Sequence, residues 1–159
     1  MPDRPLDPAG LWPSSPEEDH RSRDALDRML AGFQIIGFDW KYLYVNPAAA
    51  RHGRQQSPRD LLGRTMMEAY PGIEQTPLFR ELGRCMRERG IESFENEFTF
   101  ADGTRRWFEL RIQPVPEGVC VYSVDIHARK VKELALAHRV AELESRTVFD
   151  AIRHAFLGR

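Results

Sequence analysis

Two cysteines, five histidines and scattered carboxylates are the side chains of this 159-residue chain that could do covalent, metal or acid–base chemistry. Cys85 falls in a helical pattern and Cys120 in a strand pattern, so both read as reduced thiols rather than as a bridge. A metal site would want more ligands at closer spacing. The chain has no G-x-S-x-G, no P-loop and no H-E-x-x-H. Asp102 precedes Gly103, where a carboxylate serves a turn better than it serves as a base. Glu95 and Glu97 fall on the strand face opposite Phe94 and Phe98, which puts them in water. Catalysis would need a carboxylate or histidine inside an apolar pocket. The inward positions are nearly all apolar, so a small-molecule enzyme is the weakest of three readings.

Apolar periodicity indicates the elements that hold these residues. Phe94, Phe98 and Phe100 share one strand face, as do Phe108, Leu110 and Ile112, and again Cys120, Tyr122, Val124 and Ile126. Asp102-Gly103 joins the first pair of strands, and Pro116-Glu117-Gly118 the second. At 125–130 the period changes without a breaker, and a long charged helix follows from Ala128 to about Phe156. Earlier, residues 33–40 and 42–46 read as two short strands with a turn near Lys41. Asn46-Pro47 starts a short helix to about Gly53. Ser57-Pro58 and Thr65 start two helical turns. Thr76-Pro77 opens a longer helix through about Arg89, ended by Gly90, with Leu78, Phe79, Leu82 and Met86 at helical spacing. A first helix runs from a Ser15 cap, boxed with Glu18, to about Leu30 and is ended by Gly32. The fold class is α+β: a five-stranded antiparallel sheet with short helices on one face, an N-terminal helix and a long C-terminal helix.

Bulk properties narrow the partners. Hydrophobic residues make up 42% and charged residues 30%, and the formal net charge is −1. A near-neutral, mixed charge gives no electrostatic case for nucleic acid. No apolar run reaches the roughly 18 residues that a membrane span needs. The first nineteen residues are rich in proline and acid and lack a signal-peptide core, so the expected location is cytoplasmic.

Four segments in order resemble a PAS domain, the small sensor module of bacterial signalling proteins, as found in multi-domain sensor histidine kinases. They are Asp39-Trp40-Lys41-Tyr42-Leu43-Tyr44-Val45-Asn46-Pro47-Ala48-Ala49, Leu61-Leu62-Gly63-Arg64-Thr65, the run from Glu97 to Phe108 with Asp102-Gly103 at its turn, and Asp125-Ile126-His127-Ala128-Arg129-Lys130. The last is similar to the family's D-I-T-x-R-K exit signature, with His127 where Thr is usual. The prolines of 1–14 mark a flexible leader and the Ser15 cap a helix over 15–31; the resemblance implies a PAS domain over 32–127 and, after it, a signalling helix over 128–159. It also implies a pocket between sheet and short helices, with Ile36, Phe38, Leu62, Met66, Met67, Phe79, Phe98, Leu110 and Tyr122 as candidate lining.

The same resemblance makes Asp125, Ile126 and His127 the signal-coupling joint; Trp107, an aromatic expected on the outer sheet face, and Val131 and Leu134, at heptad spacing on the trailing helix, are expected interface positions. No cofactor is named by it. Nothing is similar to the Asn-Cys-Arg-Phe-Leu-Gln motif of the flavin-binding relatives, so covalent flavin is not expected. Between Thr76 and Gly90 there is no histidine, which disfavours haem, and His52 lies on an earlier helix. His138-Arg139-Val140 is faintly similar to a phospho-acceptor box, but Ala141 and Glu142 break it. The expected function is a non-catalytic sensor and homodimerisation module that takes a small ligand or a partner and drives an output domain. A ligand-free structural dimeriser is the alternative. On the trailing helix, Val131, Leu134, His138, Ala141, Ser145, Val148, Ile152 and Ala155 form one heptad seam, and Leu136, Val140, Leu143 and Thr147 a competing one.

Overall fold

A computed structural model describes residues 16–157. Its elements are α1 (Pro16–Asp27), β1 (Gly32–Gly37), β2 (Tyr42–Val45), α2 (Pro47–His52), α3 (Met66–Ala69), α4 (Pro77–Glu88), β3 (Glu92–Thr99), β4 (Arg105–Val115), β5 (Gly118–Asp125) and α5 (His127–Leu157), with 3-10 turns at Pro58–Asp60 and Ile73–Gln75. The strands form one antiparallel sheet in the order β2-β1-β5-β4-β3. The chain separates into two compact units. One holds the described residues up to Glu92 together with Arg111–Ser123; the other holds Ser93–Leu110 and the residues from Val124 onward.

In the first unit, local caps decide where the short helices start. The Asn46 side chain caps α2, Ser57 and Thr65 each complete a capping box, and Thr76 caps α4. Three starts therefore match the polar residue plus Pro47, Pro58 or Pro77 signal. The end of the first helix differs from expectation. The first helix stops at Asp27, and Gly32 opens β1 rather than ending that helix. Its Ser15 cap and the 1–14 leader lie outside the described residues. Helix α4 runs to Glu88 and is capped by Arg89, as its expected end at about Arg89 requires, but it is Arg89 rather than Gly90 that turns left-handed, at φ 59°. That conformation costs a non-glycine residue roughly 1–2 kcal/mol. It is offset because the Arg89 guanidinium donates to the carbonyls of Val115 and Gly118 and lies 5.3 Å from the Phe38 ring centre.

The pairing of β1 with β5 sorts their side chains. Gly32 pairs with Ser123, Gln34 with Val121 and Ile36 with Val119; Phe33 pairs with Tyr122 and Ile35 with Cys120. A Cβ at Gly32 would lie 2.3 Å from Ser123 Oγ and 3.0 Å from the Ala49 backbone, so α2 covers the Gly32 face. The helix-covered face of β5 is thus Val119, Val121 and Ser123, not the set containing Cys120 and Tyr122. Gly118, Val119, Cys120 and Val121 are all buried. Alternation cannot choose a face for a central strand buried on both sides. Gly118 has φ 157°, and a Cβ there would sit 2.1 Å from the Ile36 carbonyl, so only glycine fits this close approach.

In the second unit, Asp102 Oδ1 accepts from the Thr104 amide and hydroxyl, and Gly103 takes φ 80°, which sets the β3–β4 hairpin. Phe100, Phe108 and Leu110 are buried. Helix α5 starts at His127 and runs 31 residues. Every residue of it from Val131 to Leu157 is exposed, so it does not fold back onto its own strands. No helix among the described residues is long and apolar enough to cross a membrane.

Candidate functional site

The most constructed polar site surrounds the start of α5, within the second unit. Asp125 ends β5. Its Oδ2 accepts from Arg106 Nη2 at 2.8 Å and Nε at 3.2 Å, while its Oδ1 accepts from the His127 amide at 2.9 Å. One carboxylate thus ties β4 to the first turn of α5, where a negative group also complements the helix dipole. Ile126 is buried, and its amide donates to the Trp107 carbonyl at 3.0 Å. The chain passes from strand to helix without a free residue. Among the described residues, His127 Nδ1 is buried without a hydrogen-bond partner.

A second tie was not anticipated. Glu95 on the edge strand β3 accepts from Arg129 Nη2 at 3.0 Å and from Lys130 Nζ. Arg129 also lies 3.7 Å from Glu109 and 3.6 Å from Glu133. Lys130 Nζ stands 4.9 Å over the Trp107 ring. The Lys130 hydrogen bond, followed by the charges of Lys130 and Arg129, holds the Glu95 carboxyl below its usual range. Strand parity puts Glu95 opposite Phe94, on a solvated face. Parity is silent about what a neighbouring helix brings to that face; the adjacent Arg129 and Lys130 were the available signal. Trp107, expected as an exposed interface residue, is half-buried with Lys130 over its ring. Val131 and Leu134 are exposed.

Asn46 is the other site the sequence under-read. Its side chain is wholly buried. Oδ1 accepts from the Phe33 and Ala49 amides, both at 2.9 Å; Nδ2 donates to the Leu26 carbonyl at 2.8 Å and to the Ala31 carbonyl at 3.0 Å. The residue expected only to cap α2 therefore also joins the end of α1 to β1. Tyr44 reinforces the tie by donating to Asp27 Oδ1 at 3.0 Å. Burial, then that bond, pushes the Tyr44 phenol up to about 12.

The nine candidate lining residues divide between the two units. In the first unit Ile36 and Met66 are fully buried, and Met67 and Phe79 are half-buried. Phe79 stacks on Trp40 at 4.2 Å between ring centres. Phe38 is 58% exposed and Leu62 42% exposed, so neither is enclosed. Both flank turns, where apolar spacing carries no information about direction. Tyr122 lies on the opposite sheet face from α2, in a shallow groove with Phe33, Arg111, Gln113 and Cys120. In the second unit Leu110 is buried and Phe98 half-buried, with Phe98 edge-on to Phe100.

The thiols offer little nucleophilic chemistry. Burial pushes Cys120 up to about 11 and raises Cys85, whose Sγ donates to the Gly90 carbonyl. His52 Nδ1 lies 3.0 Å from Ser123 Oγ. Among the described residues, no group of three or more His, Cys, Asp or Glu is placed to hold a metal ion.

A family model described as the PAS fold matches residues 16–131. No curated protein matches the chain. Among solved structures, the PAS domain of a Colwellia psychrerythraea protein is 14% identical, with a TM-score of 0.56 over 69% of this chain and 97% of that one. A domain of a sensory box sensor histidine kinase/response regulator from Geobacter sulfurreducens is 18% identical, with a TM-score of 0.54 over 67% and 93%. An RNA-binding light-oxygen-voltage receptor is 17% identical, with a TM-score of 0.61 over 89% of this chain but only 41% of that one. Identities this low establish a shared fold.

Proposed function

The chain belongs to the PAS fold family, and from that premise we propose that it is a non-catalytic sensor and dimerisation module that relays a packing change to an output domain. The proposed parts are a leader at 1–14, a helix at 15–31, the sensing domain at 32–127 and the signalling helix from 128 on. A small ligand or a partner protein would alter the packing of Ile36, Met66, Met67 or Phe79 against the short helices. The last strand would pass the strain through Asp125, Ile126 and His127 into α5. The output domain would be one such as a histidine kinase, the context named for the Geobacter sulfurreducens neighbour.

One observation carries this reading. Helix α5 is clamped at its first turn by Asp125 and Glu95, yet exposes all 27 residues from Val131 to Leu157. A helix fixed at one end and bare along its length suits transmission to a second helix. Leaving Leu134, Leu136, Leu143, Ile152 and Phe156 in water is costly unless a partner covers them.

The test is cross-linking of Val131→Cys and Leu136→Cys. Disulfide-linked dimers are expected at one or both positions, since Cys85 and Cys120 are buried and contribute no background. If neither position links two chains, the helix is not a dimer coil. For the sensing half, native mass spectrometry of protein purified from cells should show a bound mass. Its repeated absence leaves the ligand-free dimeriser.

A further inference from the structure

The sheet face turned away from α2 holds a groove that the proposed relay does not use. Within the first unit, Phe33 on β1 pairs with Tyr122 on β5, and Ile35 with Cys120. These side chains therefore share one face. Arg111 and Gln113 on β4 complete the groove, whose volume is about 280 Å³. Tyr44 on β2 lies edge-on to Phe33 at 6.0 Å between ring centres, and its hydroxyl donates to Asp27. The Phe33 wall is thus braced from the neighbouring strand.

The floor of the groove is apolar and uncharged. Cys120 is 2% exposed, and burial pushes its thiol up to about 11, so it stays protonated near neutral pH. The rim is polar. Among the described residues, the Arg111 guanidinium has no carboxylate partner, and neither the Gln113 amide nor the Tyr122 hydroxyl has a hydrogen bond within the chain. Arg84, Arg89, Arg106 and Arg129, by contrast, are all engaged. An apolar floor with a few polar groups converging on it is the make-up of a small-molecule site. A guanidinium offers two parallel donors that match one carboxylate. Phe33 and Tyr122 offer ring faces and edges to an aromatic body. The volume lies at the small end of ligand sites, with room for one or two fused rings. Its few lining residues fall well short of the roughly 20–30 a side of a stable protein interface.

We propose that this groove binds a small planar aromatic acid, with the ring against Phe33 and Tyr122 and the carboxylate on Arg111. Ile36 lies on the opposite, helix-covered face, so this site is separate from the ligand invoked above, and either can fail alone. Tyr122 belongs to β5, the strand that ends at Asp125, so an occupied groove adds a second input to that strand.

Titration of the full chain with naphthoate tests this, read by isothermal calorimetry and by backbone amide NMR shifts. A dissociation constant on the order of 0.1–1 mM is expected for a ligand of about a dozen heavy atoms. Arg111→Gln should weaken naphthoate roughly ten-fold and leave uncharged naphthamide unchanged. Tyr122→Ala should weaken both, with circular dichroism confirming that the variant folds. The shifts should centre on Phe33, Arg111, Gln113, Cys120 and Tyr122. Equal affinity of Arg111→Gln for naphthoate overturns the site. Shifts centred on Ile36, Met66 and Phe79 put the probe on the helix-covered side, which supports the sensing reading and overturns this one. No binding overturns it as well; if Arg111→Gln then weakens self-association in analytical ultracentrifugation, the groove belongs to an interface with a second copy.

Discussion

Asn46→Ala is expected to cost roughly 3–4 kcal/mol of stability, far more than an ordinary polar truncation. Four backbone groups lose their partner at once: the amides of Phe33 and Ala49 and the carbonyls of Leu26 and Ala31. The side chain is fully buried, so water cannot step in without opening the junction. Loss of the α2 cap alone accounts for about 1 kcal/mol. The remainder comes from groups left unsatisfied where α1 meets β1. With urea slopes of about 1–3 kcal/mol per molar, the unfolding midpoint should fall by more than about 1 M. Asn46→Ser keeps a capping oxygen for Ala49 and should recover about 1 kcal/mol of the loss. Hydrogen exchange should quicken most around Ala31 and Phe33. A midpoint unchanged within a few tenths of a molar would mean that the junction is held by something other than this amide.

Glu95→Lys is the second large effect, and it falls on transmission rather than global stability. The substitution sets a cation against Arg129 and Lys130, the two side chains that Glu95 holds in the first turn of α5. Arg106–Asp125 stays intact, so the helix start should loosen without melting. Exchange of the 127–131 amides should accelerate roughly five- to ten-fold while β4 and β5 stay protected. Glu95→Gln should give a smaller change of the same sign.

Two conditions should reproduce the effect in the unaltered chain. Molar salt shortens the screening length to about 3 Å and weakens exposed pairs. Acid does so by linkage. The Glu95 carboxyl sits below its usual 4.5 in the folded chain, so its contribution is complete above that value and is lost as pH falls through the depressed one. The joint should therefore loosen as pH falls through the lowered range of the Glu95 carboxyl. Unaltered exchange at 127–131 in Glu95→Lys would show that Asp125 and Ile126 set the joint alone.

Much of the architecture was legible in advance because it is encoded locally. A polar cap followed by proline favours a helix start, and Asn46-Pro47, Ser57-Pro58 and Thr76-Pro77 each provide one. Asp102-Gly103 turned the chain because its carboxylate reaches the Thr104 amide two residues away. The end of α4 near Arg89 was legible from the adjacent Gly90, but the left-handed conformation of Arg89 was not, because the Val115 and Gly118 carbonyls that stabilise it are distant in sequence. The site was legible in its covalent part only. Asp125, Ile126 and His127 are contiguous and lie at the strand-to-helix change, but Glu95 reaches the same turn from another strand.

From the order of its residues this chain determined its periods: which stretches alternate as strands, which repeat as helices, where caps and turns fall, and that four segments stand in the order of a PAS domain. Those are near-neighbour properties, set by backbone geometry and the hydrogen bonds a side chain can make to its own few neighbours. Tertiary structure decided direction and partnership. It turned Val119 and Val121 rather than Cys120 and Tyr122 toward α2, gave Asn46 two carbonyls from before β1, and placed Lys130 over Trp107 and onto Glu95. The physical reason is that a strand's alternation fixes two faces but not which one is covered, and an ion pair is set by distance in space, which the sequence does not carry.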